Sequence, residues 1–279
     1  MNKLFSRWLP CATLAVWSAI LLHFFFSGRI AAFLHPMFRN YVLLAGLVLA
    51  AMSAVFIFVP GDAECCTTAE CGHPFSRLAS GKMLTFLVLL LPVTVAAFFS
   101  PDAFGKSAIQ NRGIISDAGA LGTAPTKDAI SKPVNDPLPT KTGDAPASSP
   151  APGDYLQRTP EGYIAAEVLD LLYAAQDNGL RPDFEGKTVQ LIGQLMPDKS
   201  GSGTSPRFKV VRMFMTCCAA DARPVATLVE CEKLPDFPEM TWIKVTGTST
   251  FPTENGRRTS VLAAKKIEKS NPPDETMLY

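Results

Sequence analysis

Two adjacent cysteines are the residues with the clearest chemical potential in this chain of 279 residues. Cys217 and Cys218 follow the segment RFKVVRMFMT, in which large apolar side chains recur on one side in the period typical of a β-strand. Because neighbours in a strand point to opposite faces, at most one of the two thiols is expected to enter the core. We therefore predict that at least one thiol is accessible.

Two further residues could complete a metal site around this pair. Thiolates bind soft metal ions, Asp221 would add an oxygen ligand, and Cys231 lies just past the next predicted strand. The four residues Cys217, Cys218, Asp221 and Cys231 therefore form a candidate site for zinc or copper(I). The alternatives are a redox-active thiol pair and two inert thiols packed as small apolar side chains.

A second cluster of thiols lies in the segment GDAECCTTAECGHPF, residues 61–75. Cys65, Cys66, Cys71 and His73 could complete a tetrahedral zinc site, and their thiolates would also suit copper(I). The spacing lacks the usual Cys-x-x-Cys pair, so a local disulfide or unpaired thiols are the alternatives.

Three apolar runs before residue 100 predict a membrane region over residues 1–113. The runs cover residues 9–26, 41–59 and 83–99, close to the 17 to 25 residues that a bilayer needs. His23 lies inside the first run, where an ionisable side chain is either functional or interfacial. Basic residues are balanced between the loops, so a cytoplasmic N-terminus is only slightly favoured. Three spans would then place the C-terminal domain outside the cytoplasm.

The remainder of the chain predicts a tether and a small β domain. Residues 114–159 are rich in Pro, Ala, Ser and Thr, which is typical of a disordered linker. Residues 161–175 then have helical spacing, with Thr159 as the expected N-cap. Five strand signals follow, two of them with internal glycines, Gly193 and Gly247. This pattern favours an OB-like five-stranded barrel with a leading helix over residues 160–279.

Composition narrows the classes of function. Only 18% of the residues are charged and the net charge is +1, which argues against a nucleic-acid surface. The three histidines all precede residue 74, so a Cys-His nucleophile within the C-terminal domain is excluded. The sequence contains no phosphate-binding Walker loop and no Ser/His set, and we expect a protein that is not an enzyme.

Four stretches resemble the YcgQ-like family of bacterial membrane proteins. They read CCAADARP, LHPMFRNYVLLAG, LLPVTVAAFFSPDAF and WIKVTGTST, and the first is the most specific. Members of that family are often encoded beside a predicted multi-span permease. The resemblance therefore implies a membrane-anchored accessory protein of a permease. Its partners would be the lipid bilayer and the permease, and its barrel would bind an ion or a partner protein. A membrane-tethered thiol redox protein and a structural adaptor with inert cysteines are the alternatives.

Overall fold

The computed structural model describes residues 2–58, 79–99, 105–121, 156–198, 205–254 and 256–279. The chain divides into two units, and each is described by itself. The helical unit comprises Met1–Phe104 together with Met215–Asp221, and the barrel unit comprises Gly105–Phe214 together with Ala222–Tyr279.

The helical unit is built from three long helices, α1 (Asn2–Phe26), α2 (Pro36–Phe58) and α3 (Ala79–Phe99). Small residues let α1 and α2 pack closely, because a Cβ at Gly46 would lie 2.9 Å from a methyl carbon of Leu22. Buried hydroxyls also join the two helices: Ser18 Oγ donates to Gly46 O at 2.8 Å and Ser53 Oγ donates to Cys11 O at 3.0 Å. These bonds satisfy polar groups that have little access to water.

Two of these helices are long and apolar enough to cross a membrane, judged over the described residues. They are Trp8–Phe26 and Pro36–Phe58, and only 11% of each apolar window is buried, whereas a core helix of a soluble protein would be mostly covered. The predicted spans at residues 9–26 and 41–59 are thus confirmed as candidate spans, which suggests membrane association. The third predicted span, residues 83–99, lies within α3, and three spans are not shown.

The described residues of the barrel unit form nine strands. They are β1 (Ile164–Ala165), β2 (Thr188–Pro197), β3 (Arg207–Phe214), β4 (Arg223–Glu230), β5 (Trp242–Thr250), β6 (Thr253–Glu254), β7 (Arg257–Arg258), β8 (Val261–Lys269) and β9 (Met277–Leu278). Antiparallel pairs join β2 to β3, β3 to β4, β2 to β5 and β5 to β8, and the parallel pair β4–β8 completes the ring. The predicted five-stranded barrel is confirmed as a closed barrel, and its strand order is consistent with an OB-like arrangement.

Both strand glycines allow backbones to approach closely. A Cβ at Gly247 would collide with the carbonyl of Ala263, and the β5–β8 register shifts beside it. A Cβ at Gly193 would lie 2.5 Å from a methyl of Val210 on the facing strand β3. A Cβ would not fit at either position without a shift of its neighbours, which is why glycine is used there.

The leading helix begins later than the sequence predicts. Helix α5 (Val168–Gln176) starts after Glu167, whose carboxylate and that of Asp170 form a reciprocal capping box. Thr159 instead belongs to a turn closed at Gly162, which has a φ of 83°. A short helix α6 (Arg181–Phe184) follows. The prediction that Thr159 is the N-cap was wrong, because the capping box is a stronger start signal than Thr-Pro.

The predicted linker also starts too early. Helix α4 (Lys106–Arg112) buries Ile109 completely, and Ile115 exchanges hydrogen bonds with β4. Its N–H donates to Pro224 O and its carbonyl accepts from Ala226 N, both at 2.8 Å. Residues 114–121 therefore belong with the barrel. Residues 122–155, which make up most of the predicted linker, lie outside the described part of the chain.

Candidate functional site: the thiol loop

The two adjacent cysteines lie in the turn between β3 and β4, within Met215–Asp221, which we call the thiol loop. Its ends are fixed by Met215 and Ala222, which are 0% and 1% exposed. Asp221 organises the turn between them: its carboxylate accepts hydrogen bonds from Thr216 N at 3.2 Å and from Cys217 N at 2.7 Å. Asp221 thus caps the loop, and its oxygens are already in use.

The thiols themselves remain outside the core. Cys217 is exposed, Cys218 is half-buried, and their sulfur atoms lie 3.7 Å apart without a disulfide. The prediction of at least one accessible thiol is confirmed. Neither thiol is fully buried because both come after the strand has ended at Phe214, so the alternation of a strand does not govern them.

Electrostatics keeps the first thiol protonated. The hydrogen bond to the Asp221 carboxylate, followed by the contact with the Cys218 thiol, raises the pKa of Cys217 to about 12. A thiol with so high a pKa holds its proton at neutral pH and is a poor nucleophile. This environment is unlike that of the redox-active cysteines, whose thiolates are stabilised by positive charge.

The thiol loop is hydrogen-bonded to the short segment between α1 and α2. His35 N donates to Cys217 O at 3.1 Å, and Ala219 N donates to Phe33 O at 2.8 Å. These bonds flank an antiparallel bridge between Leu34 and Cys218. The thiols are therefore held beside the connection between the two candidate spans, a neighbour that sequence reasoning did not identify.

Cys231, the fourth residue of the predicted site, belongs to the barrel unit, and its part in that site stays a prediction. It follows β4, an eight-residue strand that begins after the thiol loop. Its buried thiol donates to Pro206 O at 3.5 Å, and burial raises its pKa. Across the described residues, no three His, Cys, Asp or Glu side chains already form a group that could hold a metal ion.

The structure gives no position for the second predicted metal cluster. Cys65, Cys66, Cys71 and His73 lie outside the described residues. Their assignment to zinc or copper(I) stays a prediction.

A buried arginine in the barrel unit was missed by sequence reasoning. The Arg212 side chain is 2% exposed, and its Nη1 donates to Glu167 Oε2 at 3.1 Å and to Ile192 O at 3.3 Å. Nη2 donates to Glu275 O at 2.7 Å, and the guanidinium carbon lies 5.5 Å from the Trp242 ring centroid. The signal was available, since Arg212 is the charged member of the otherwise apolar face of β3. It joins β2, β3, α5 and the C-terminal segment.

Arg212 also lines a cavity of about 580 Å³ on the barrel unit. Glu167, Asp170 and Gln190 supply polar atoms, and Phe184 is among the apolar residues of the wall. Burial raises the pKa of both carboxyl groups and lowers that of Arg212. The volume is in the range of small-molecule sites, and among the described residues Nε of Arg212 is buried without a hydrogen-bond partner.

Comparisons with known proteins give the family. The model of the DUF1980 N-terminal domain matches residues 9–115, and that of the DUF1980 C-terminal domain matches residues 161–279. No curated protein matches. Among solved structures, a small single-stranded DNA-binding protein from Streptomyces coelicolor aligns with 31% of this chain and 95% of its own, at 12% identity. The TM-score of this match is 0.22, which is too low to support an argument. The two domain matches together cover most of the chain, which therefore belongs to the DUF1980 family.

Proposed function

We propose that this protein is a membrane-anchored accessory protein of a transport system, and that its thiol loop binds a metal ion. The observation that supports this proposal best is the position of the thiol loop, which is hydrogen-bonded between Phe33 and His35 to the connection of the two candidate spans. A metal bound there would be held beside the membrane segments. The permease partner is carried over from the family resemblance, and no nucleic-acid partner or enzymatic activity is proposed.

The spacing of the two sulfur atoms favours zinc. In a tetrahedral site with zinc–sulfur bonds of about 2.3 Å, two sulfur ligands lie about 3.8 Å apart. The sulfur atoms of Cys217 and Cys218 are 3.7 Å apart without any ion. Two-coordinate copper(I) would need the sulfur atoms on opposite sides of the ion, and hence farther apart. The pair can therefore accept zinc with little movement, although the two residues are adjacent in sequence.

A redox role for the thiol pair has less support than metal binding. A redox pair needs an attacking thiolate, and the Asp221 carboxylate stabilises the protonated form of Cys217 instead. A structural adaptor with inert cysteines is the outcome if the thiols bind nothing.

Zinc titration of the full chain in detergent tests the proposal. The starting protein has Cys65, Cys66 and Cys71 replaced by Ser, so that the second cluster does not contribute. Competition with a chromophoric chelator gives the zinc affinity, and we expect Cys217→Ser and Cys218→Ser to abolish binding. Cys231→Ser is the matched control and should leave the affinity unchanged. Failure of the starting protein to bind zinc more tightly than micromolar would remove the metal function and leave the adaptor.

The side of the membrane on which the barrel lies also belongs to the proposal. With three spans and a cytoplasmic N-terminus, the barrel and its thiols would lie outside the cytoplasm, where an accessory protein could meet ions before transport. With two spans both ends of the chain would share one side. The number of spans therefore decides on which side the metal is bound, and thiol labelling in intact cells measures that side.

A further inference from the structure

We propose that the cavity beside Arg212 in the barrel unit binds a small organic cation, a protonated primary amine with a carbonyl group on the neighbouring carbon and an apolar body. α-Amino amides have this chemistry, and so does the N-terminus of a peptide. The cavity of about 580 Å³ shares no residue with the thiol loop. The inference therefore goes beyond the proposed function and does not depend on it.

The charges in the wall of the cavity favour a cation. Glu167 and Asp170 supply two carboxyl groups, and Arg212 is the one positive charge among the described residues that line the cavity. Two carboxylates and one guanidinium leave one net negative charge. Burial raises the pKa of both carboxyl groups, because the loss of water is not fully offset by the donors and positive charge around them. A bound ammonium group would supply both.

The two carboxylates have room for further hydrogen bonds. Asp170 Oδ2 accepts from Glu167 N at 2.8 Å, whereas Asp170 Oδ1 accepts from no residue in the described parts of the chain. The Glu167 carboxylate accepts from Asp170 N and from Arg212 Nη1, and its side chain is 52% exposed. Each ionised carboxylate has about four acceptor sites, and an ammonium group has three donors. The pair can therefore bind the ammonium group without giving up the capping box.

The guanidinium of Arg212 offers a donor for the carbonyl group of the ligand. Both Nη atoms donate hydrogen bonds, but Nε is buried and has no acceptor among the described residues. A buried donor without a partner is costly, and an acceptor on a ligand would remove that cost. Nη1 donates to Glu167 and to Ile192 O, which both line the cavity, so the guanidinium lies in its wall. Because Nε is covered in the ligand-free protein, the wall must shift slightly before the carbonyl oxygen can accept from it.

Apolar residues complete the wall and would contact the body of the ligand. Leu180, Phe184 and Ile192 line the cavity, and so does Tyr173, which is 42% exposed. An aromatic ring also attracts an ammonium group placed over its face. Leucinamide is therefore a suitable probe, because it combines the ammonium group, the neighbouring carbonyl group and a branched apolar side chain.

Titration calorimetry on the full-length chain in detergent tests the three parts of the ligand. We expect leucinamide to bind at least tenfold more tightly than N-acetylleucinamide, which has no charge, and than 3-methylbutylamine, which has no carbonyl group. The peptide Leu-Ala-Ala separates the two sources of this chemistry. Binding as tight as that of leucinamide would indicate a peptide N-terminus, and weaker binding would indicate a small amide; both results support the site. Equal affinity for leucinamide and its acetylated form would overturn the proposal.

A pair of Asp→Asn variants ties the binding to the cavity. Asp170→Asn removes a charge but keeps an oxygen for the Glu167 N–H, so the helix start should survive, and we expect the affinity for leucinamide to fall about tenfold. Asp177→Asn is the matched control at the other end of α5, because Asp177 caps a turn and does not line the cavity. Equal affinities of the two variants would contradict the assignment, whatever the zinc titration shows. If Asp170→Asn fails to fold, the comparison of probes in the parent protein still decides.

Discussion

Replacing Asp221 by Asn should activate the Cys217 thiol in the zinc-free protein. The carboxylate of Asp221 is the main cause of the high pKa of Cys217, and Asn removes its charge while keeping a side-chain oxygen that can accept from the loop backbone. We therefore expect the pKa of Cys217 to fall toward its usual value and the thiolate fraction near pH 7.5 to rise. Reaction with a disulfide reagent should become faster.

The size of the effect follows from the two pKa values. A fall from about 12 toward the usual value of about 8.5 would raise the thiolate fraction at pH 7.5 by roughly three orders of magnitude. The less basic thiolate is also less nucleophilic, with a Brønsted coefficient of about 0.4 to 0.5, so the rate would rise by about a hundredfold at most. Cys217 is exposed and solvent screens the carboxylate, so we expect a gain between about fivefold and fiftyfold.

The assay is the rate of mixed-disulfide formation at Cys217 with an excess of an aromatic disulfide, in chelator-treated full-length protein. Mass spectrometry localises the label, and Cys218→Ser is present in every sample so that only one thiol of the pair reacts. Asp177→Asn is the matched control, because Asp177 also caps a turn, accepting from Gly179 N, but is not part of the thiol loop. Equal rates for Asp221→Asn and the parent protein would show that the carboxylate does not hold the proton.

Three further predictions concern stability and topology. Gly247→Ala should lower the free energy of unfolding in urea by about 1 to 3 kcal/mol, because its Cβ meets the Ala263 carbonyl. Gly105→Ala, with open space around Gly105, should change the free energy of unfolding little. Equal unfolding midpoints for the two variants would contradict the close approach. Arg212→Met should lower the free energy of unfolding by about 2 kcal/mol or more, because two backbone carbonyls lose a buried charged donor. Arg212→Lys should not restore this loss, and full stability of the Lys variant would argue against the bonding pattern. In intact cells of the variant lacking Cys65, Cys66 and Cys71, a membrane-impermeant maleimide should label Cys218 in the thiol loop if three spans place the barrel outside. Labelling only after permeabilisation would place it in the cytoplasm.

Local patterns were enough to predict the elements of the fold. Alternating apolar residues marked the barrel strands, because the period of a strand is a property of neighbouring residues. Gly193 and Gly247 marked two positions of close approach between strands. Uncharged runs marked the two candidate spans for the same reason. The start of α5 was missed although its capping box was also local, since Thr-Pro gave a competing signal earlier in the chain.

The site depended on contacts that no local pattern contains. The sequence by itself determined that two thiols follow a strand and that one would be accessible. Only the tertiary structure decided that Asp221 closes the loop and that Leu34 pairs with Cys218. The last contact joins residues more than 180 positions apart through backbone hydrogen bonds. Every residue type except proline can both donate and accept such bonds, so their partners are selected by how the whole chain packs rather than by the side chains at either end.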